Sequence, residues 1–211
     1  MIPLKTKIPS LVFAITCLIT SAPAASNISM NEAETARVQS GEIVVREIPS
    51  EKPVGLTIEV IGLMQAPAND LVQVLMDYEN YHEFMPSTKR VEIVEQEGHE
   101  AVLNFILDPI MGIAKRHRIQ INLLELDDST SKLQWHLVEW PELEPKDTIK
   151  DTQGYWLIKQ TSKRQSIVLY HVYTDPGPVP FGLQWVVGKL SKGSIEDAFT
   201  ETKARVENLK P

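Results

Sequence analysis

Along most of the chain the apolar positions follow one of two periods, and the switches between them divide the sequence. Residues 41–49 alternate, with Ile43, Val45 and Glu47 on one side and Val44, Arg46 and Ile48 on the other. Residues 56–65 alternate more strongly: Ile58, Val60 and Met64 share a face, with Gly62 between them. The period then lengthens. Pro67 suits a first helical turn, Asp70 favours the positive end of a helix, and Leu71, Val74 and Leu75 form an i, i+3, i+4 stripe. Tyr78, Tyr81 and Phe84 continue at helical spacing, and Pro86 stops the run. The pattern predicts an amphipathic helix followed by a short aromatic one.

After Pro86 the period returns to two. Residues 90–96, 101–107, 115–126, 132–140, 148–160 and 166–174 all read as strands, with tight connections at 97–98, 127–129 and 162–164. Residues 108–114, DPIMGIA, differ, because three large apolar residues fall in what reads as a loop. Apolar loop residues are packed inward or kept for contact. A rigid proline-rich turn, 175–180, leads into a helical stretch from 181 to 210. Its stripes, Leu183, Val187 and Leu190, then Ile195, Phe199, Val206 and Leu209, are separated by Gly193. With Ser194 and Asp197 placed like a capping box, this predicts a kinked helix or two successive helices. Residues 28–40 are polar and acidic, holding one short helix or remaining loose.

The local sequences carry a resemblance. DYENYHEFMP at 77–86, GYW at 154–156 and DPGPVPFGLQW at 175–185 resemble blocks of the START-like, Bet v 1-like (SRPBCC) helix-grip superfamily. Within it they are most similar to the polyketide cyclase/dehydrase and coenzyme Q-binding branch, over residues 41–209. Pro178 stands where that branch commonly has a second glycine. The resemblance implies an α+β fold: a seven-stranded antiparallel sheet wrapped around a long C-terminal helix, with two short helices after the first strand. It also implies a hydrophobic ligand, such as a lipid, quinone, sterol or polyketide. Members include both carriers and enzymes, and the fold alone does not choose between them.

Composition and the N-terminus refine this picture. Lys5 and Lys7, the apolar run 8–19 and the small residues 21–25 form a secretory signal pattern, with cleavage expected near Ala24 or Ala25. The division expected is a signal peptide at 1–25, a loose segment at 26–40 and a helix-grip domain at 41–211. Cys17, the single cysteine, lies in the signal, and Ala14, Ile15 and Thr16 make a poor lipobox before it. A mature chain without cysteine has no disulfide and no thiolate chemistry. Its net charge would move from -7 to -9 with the loss of both lysines, which disfavours nucleic acid. Lys115, Arg116 and Arg118 are the one basic cluster, and on a strand they point to alternate faces.

No nucleophile elbow, P-loop, dinucleotide fingerprint or zinc motif is present, so neither metal nor cofactor is expected. Two of the five histidines sit on apolar strand faces: His117 with Ile119, Ile121 and Leu123, and His171 with Ile167, Leu169 and Tyr173. If those faces turn inward, both imidazoles line the interior, to bind a head group or to act as acid and base. The expected floor of the cavity is Leu103, Phe105, Leu107, Ile119, Ile121, Trp135 and Leu137, together with Trp156. The expected roof is Leu183, Val186, Val187 and Leu190, and Ile110, Met111 and Ile113 form a gate that would touch membrane during exchange. Burying about 400 Å² of an aliphatic ligand gains about 10 kcal/mol, of which ordering returns several. A container therefore needs no strong polar anchor. The expected function is exported or periplasmic binding of a hydrophobic small molecule. The alternatives are a cyclase or hydrolase using a cavity histidine, and a ligand-free envelope interaction module.

Overall fold

The computed structural model describes residues 27–49, 52, 54–110, 113–144, 146–177 and 184–209, with the backbone alone at 108–110, 113–114 and 184–191. The signal-peptide segment lies outside the described residues, as do Met111 and Leu183.

Helix α1 (Glu32–Gln39) comes first, where a loose segment was one expectation. Asn31 and Glu34 close a reciprocal capping box at its start. Eight strands follow: β1 (Val44–Ile48), β2 (Leu56–Met64), β3 (Thr88–Glu97), β4 (Glu100–Ile110), β5 (Ile113–Asp127), β6 (Thr130–Val138), β7 (Asp151–Ser162) and β8 (Gln165–Asp175). They form one antiparallel sheet in the order β1-β2-β8-β7-β6-β5-β4-β3. The alternating run at 41–49 thus adds an edge strand to the seven that the resemblance implied. Helix α2 (Ala68–Met76) and a 3-10 segment (Tyr78–Glu83) carry the chain from β2 to β3 at the opposite edge.

Three local expectations change. The stretch 108–114 is largely strand, because β4 and β5 run on until Ile110 pairs with Ile113. The run at 148–160 begins later than its apolar pattern does. Residues 147–149 lie beside β5, where Arg116 N donates to Asp147 O at 2.9 Å, and β7 starts at Asp151. The C-terminal stretch is one helix, α3 (Gln184–Glu207), without a break at Gly193. Ser194 lines an interior hollow, and a single glycine costs a helix only about 1 kcal/mol.

The sheet is apolar on both faces, but unevenly. Its concave face packs against α2, the 3-10 segment and α3 through Ile58, Val60, Leu71, Leu75, Leu103 and Phe199. On its convex face a second apolar cluster gathers about β1, β2, β7 and β8, where Ile28 and Val38 pack with Val44, Ile61, Leu157 and Leu169. Arg46 fastens α1 there, pairing with Glu34 at 2.6 Å and Glu59 at 3.3 Å.

Two glycines set close approaches on the concave side. At Gly62 a Cβ would stand 3.0 Å from the Phe199 ring. At Gly154, opposite Trp135 in the register, it would stand 2.4 Å from the indole and 2.3 Å from the His171 carbonyl. Trp135 lies flat across β7 because residue 154 has no side chain. Gly154→Ala should therefore destabilise the fold by about 3 kcal/mol, since both a ring and a backbone must move. Gly193→Ala, with open space around its Cβ, should stabilise it by about 0.5–1 kcal/mol. Urea midpoints of the two variants should move in opposite directions. A Gly154→Ala midpoint equal to wild type would contradict the close approach.

Candidate functional site: a largely apolar chamber

Between the concave face and α3 the packing is incomplete. A chamber of about 230 Å³ remains, walled by Phe105, Leu107, His117, Ile119 and Ile121 from β4 and β5 and by Trp135 and Trp156 from β6 and β7. Tyr170 and Val172 of β8 close the next side, Tyr81, Met85 and Pro86 close one end, and Ser194, Ile195 and Ala198 of α3 form the lid. Beyond Ile149, which walls both spaces, lies an outer hollow of about 730 Å³. Leu137, Trp140 and Leu143 line it, together with Glu139, Lys150 and Asp175.

The aromatic block before β3 builds the end wall. Tyr78, Tyr81 and Phe84 pack edge to face, with centroids 5.7 and 5.4 Å apart. The Tyr81 hydroxyl donates to the Leu75 carbonyl, so it is spent within the wall. The same block holds α3. Arg205 reaches Glu83 at 2.7 Å and Asp77 at 3.5 Å and lies over the Phe84 ring, while Glu207 accepts from Gln65 N at 2.7 Å. Trp156 stacks on Tyr170 at 3.8 Å and on Phe199 at 5.9 Å, tying floor to lid.

Polarity inside the chamber is sparse. Among the described residues no Asp, Glu, Lys or Arg lines it. The His117 ring stacks on its cross-strand neighbour Phe105 at 5.1 Å, and its Nδ1 is sealed off with no hydrogen-bond partner. Burial lowers its pKa from 6.5 to about 4, so the ring is neutral at neutral pH. Burial likewise pushes the Tyr170 hydroxyl well above the ordinary tyrosine range. Lys115, two residues before His117, gives its Nζ to the carbonyls of Lys146 at 2.8 Å and Thr148 at 3.0 Å. No group of three or more His, Cys, Asp or Glu placed to hold a metal occurs among the described residues.

The structure thus brings together seven of the residues expected from sequence: Phe105, Leu107, His117, Ile119, Ile121, Trp135 and Trp156. Leu103 is sealed in the core beneath them, and Leu137 faces the outer hollow. His171 is a correction. It sits on the convex face, its Nδ1 3.0 Å from Glu59 and its ring 4.9 Å from that of Tyr155. Of the expected roof and gate, Leu183 and Met111 lie outside the described residues, and Val186, Val187, Leu190, Ile110 and Ile113 are described by backbone alone. Sequence reasoning missed Tyr170, Val172 and the end wall. For Tyr81 the signal was present, since it continues the helical stripe of α2.

Comparison with known proteins agrees with this geometry. The family model described as "Polyketide cyclase / dehydrase and lipid transport" matches residues 64–200, and the chain belongs to that family. Among solved structures the fold is similar to a STAR-related lipid transfer protein from Xanthomonas axonopodis. That pair shares 17% identity at a TM-score of 0.67, over 79% of this chain and 94% of that one. It is also similar to human STARD10, at 18% identity and TM-score 0.66, over 79% of this chain and 70% of that one. The Zhui aromatase/cyclase of a Streptomyces species matches at 14% identity and TM-score 0.56, over 78% of this chain and 94% of that one. No curated protein matches the sequence.

The buried imidazole ties stability to pH. The unfolded chain takes up a proton at His117 near pH 6.5, the folded chain only near 4. Stability from this group is therefore complete above about pH 6.5 and falls away toward pH 4, by about 3 kcal/mol. His117→Phe, which keeps a ring against Phe105, should flatten that part of the profile. Urea unfolding measured from pH 4 to 7 tests this, and parallel wild-type and variant curves would refute it.

Proposed function

We propose that this protein binds a hydrophobic small molecule in the chamber and carries or senses it, without transforming it. The observation behind this reading is the largely apolar space between sheet and α3, with two tryptophans in its walls and no charged side chain among its described lining residues. A lipid-transfer or lipid-binding role is in keeping with the family and with the names of its structural neighbours. The enzymatic alternative finds less support. A general base is normally oriented by a third group, and the sealed Nδ1 of His117 has none.

We place this activity outside the cytoplasm on the signal pattern at 1–25, with transient membrane contact at the 108–114 turn during exchange. Sequencing the N-terminus of the protein recovered from its producing cells should show a start near Ser26. A start at Met1 would remove the export proposal.

Native mass spectrometry of the same material, with extraction of bound molecules, should reveal a stoichiometric lipid-like adduct. Ala198→Phe fills the chamber from the lid and should abolish that adduct and any lipid-induced change in tryptophan emission, while circular dichroism stays native. Wild type that takes up nothing from an envelope lipid extract would instead favour the interaction-module reading.

A further inference from the structure

Several polar groups line the chamber, among them the Tyr170 and Ser194 hydroxyls, and His117 is the only imidazole among the described ones. His117 is nine-tenths buried, and it faces the cavity from the middle of β5. Its Nδ1 is closed off without a partner, which leaves Nε2 as the nitrogen open to the chamber. A proton on Nδ1 would bury an unsatisfied donor, the rarer and costlier kind of orphan. The neutral ring therefore carries its proton on Nε2, pointing an N–H into a largely apolar space that it shares with the Tyr170 and Ser194 hydroxyls.

The surrounding charges narrow what that donor can meet. No ionised side chain lines the chamber among the described residues, and Lys115, two residues before His117, gives its Nζ to two backbone carbonyls. A buried carboxylate would need His117 to become charged as well, so two ions would be desolvated for one pairing. An ammonium group would find no anion at all. Charged groups appear only in the outer hollow, at Glu139, Lys150 and Asp175.

We propose that the chamber takes an uncharged amphiphile whose carbonyl, ester or hydroxyl oxygen accepts a hydrogen bond from His117 Nε2–H, and that it excludes carboxylate and ammonium head groups. The inference rests on the container reading above and names its ligand class.

The test uses a series of one chain length, an n-alkane, the 2-alkanone and the n-alkanoate, titrated at neutral pH and followed by tryptophan emission. Wild type should bind the alkanone about tenfold more tightly than the alkane, as one buried hydrogen bond provides, and the alkanoate more weakly than the alkanone. In His117→Phe the ketone should lose its advantage over the alkane, whatever the variant's absolute affinity for the alkane. In the wild-type complex the carbonyl stretch of the bound alkanone should fall below its value in hydrocarbon solvent, a readout that needs no variant. A hydrocarbon-like stretch, an alkanoate that binds as tightly as the alkanone, or a ketone advantage that survives in His117→Phe would overturn the inference and leave the container reading standing. Failure of all three compounds to bind would overturn both.

Discussion

The concave face of a strongly curved sheet has to be covered, and here one long helix covers it. Where that helix is fastened decides what space is left. Arg205 and Glu207 fix the C-terminal end of α3 to Asp77, Glu83, Phe84 and the backbone of Gln65. Phe199, fully buried, fits against Gly62 and Trp156 one or two turns earlier. Where Ala198 and Ser194 face the sheet beside Ile195, their small side chains leave space over the floor, and the chamber lies there. The aromatic block at 77–86 accordingly does two jobs: it walls the chamber with Tyr81 and anchors the lid through Asp77, Glu83 and Phe84.

This constraint also explains how far the sequence could be read. Strand positions follow from alternation, and the face assignment of β5 was unambiguous. Ile119, Ile121 and Leu123 alternate with Arg116, Arg118, Gln120 and Asn122, so only one face could be inside. β8 offers no such contrast. Ile167, Leu169 and Tyr173 are as apolar as Val168, Tyr170 and Val172, because Ile167 and Leu169 belong to the second apolar cluster on the convex face. Counting in twos grouped His171 correctly with its neighbours and could not tell which face was the interior. The extension of β4 to Ile110 and of β5 from Ile113 escaped for another reason. Pairing of Ile110 with Ile113 across a very short connection follows a register shift after Leu107, which alternation does not encode.

The two histidines set apart by the sequence therefore play opposite parts. His171 belongs to a satisfied polar network on the convex face: it meets Glu59, whose carboxyl is held low by His171 and then by Arg46, and Arg46 in turn grips Glu34 of α1. That network is a clamp for the N-terminal helix, and each member has a partner. His117 has an aromatic neighbour but no partner for Nδ1, in the driest part of the molecule.

An unpartnered buried nitrogen costs about 1–3 kcal/mol, and a leucine or phenylalanine at position 117 would avoid that cost while packing against Phe105. The fold gains nothing from the imidazole. Tyr81 and Thr152, polar side chains on the same surface, have both been turned to internal use, the first on the Leu75 carbonyl and the second on that of Tyr173. What the imidazole adds over leucine or phenylalanine is the Nε2–H turned toward the chamber, while Nδ1 stays unpartnered, as the Tyr78 and Thr130 hydroxyls do. The same reasoning favours the carrier reading proposed above. A base needs a partner that orients it, and Nδ1 of His117 has none. A container needs apolar walls and a few directional contacts to fix the cargo's orientation, and His117, Tyr170 and Ser194 stand where they can supply them.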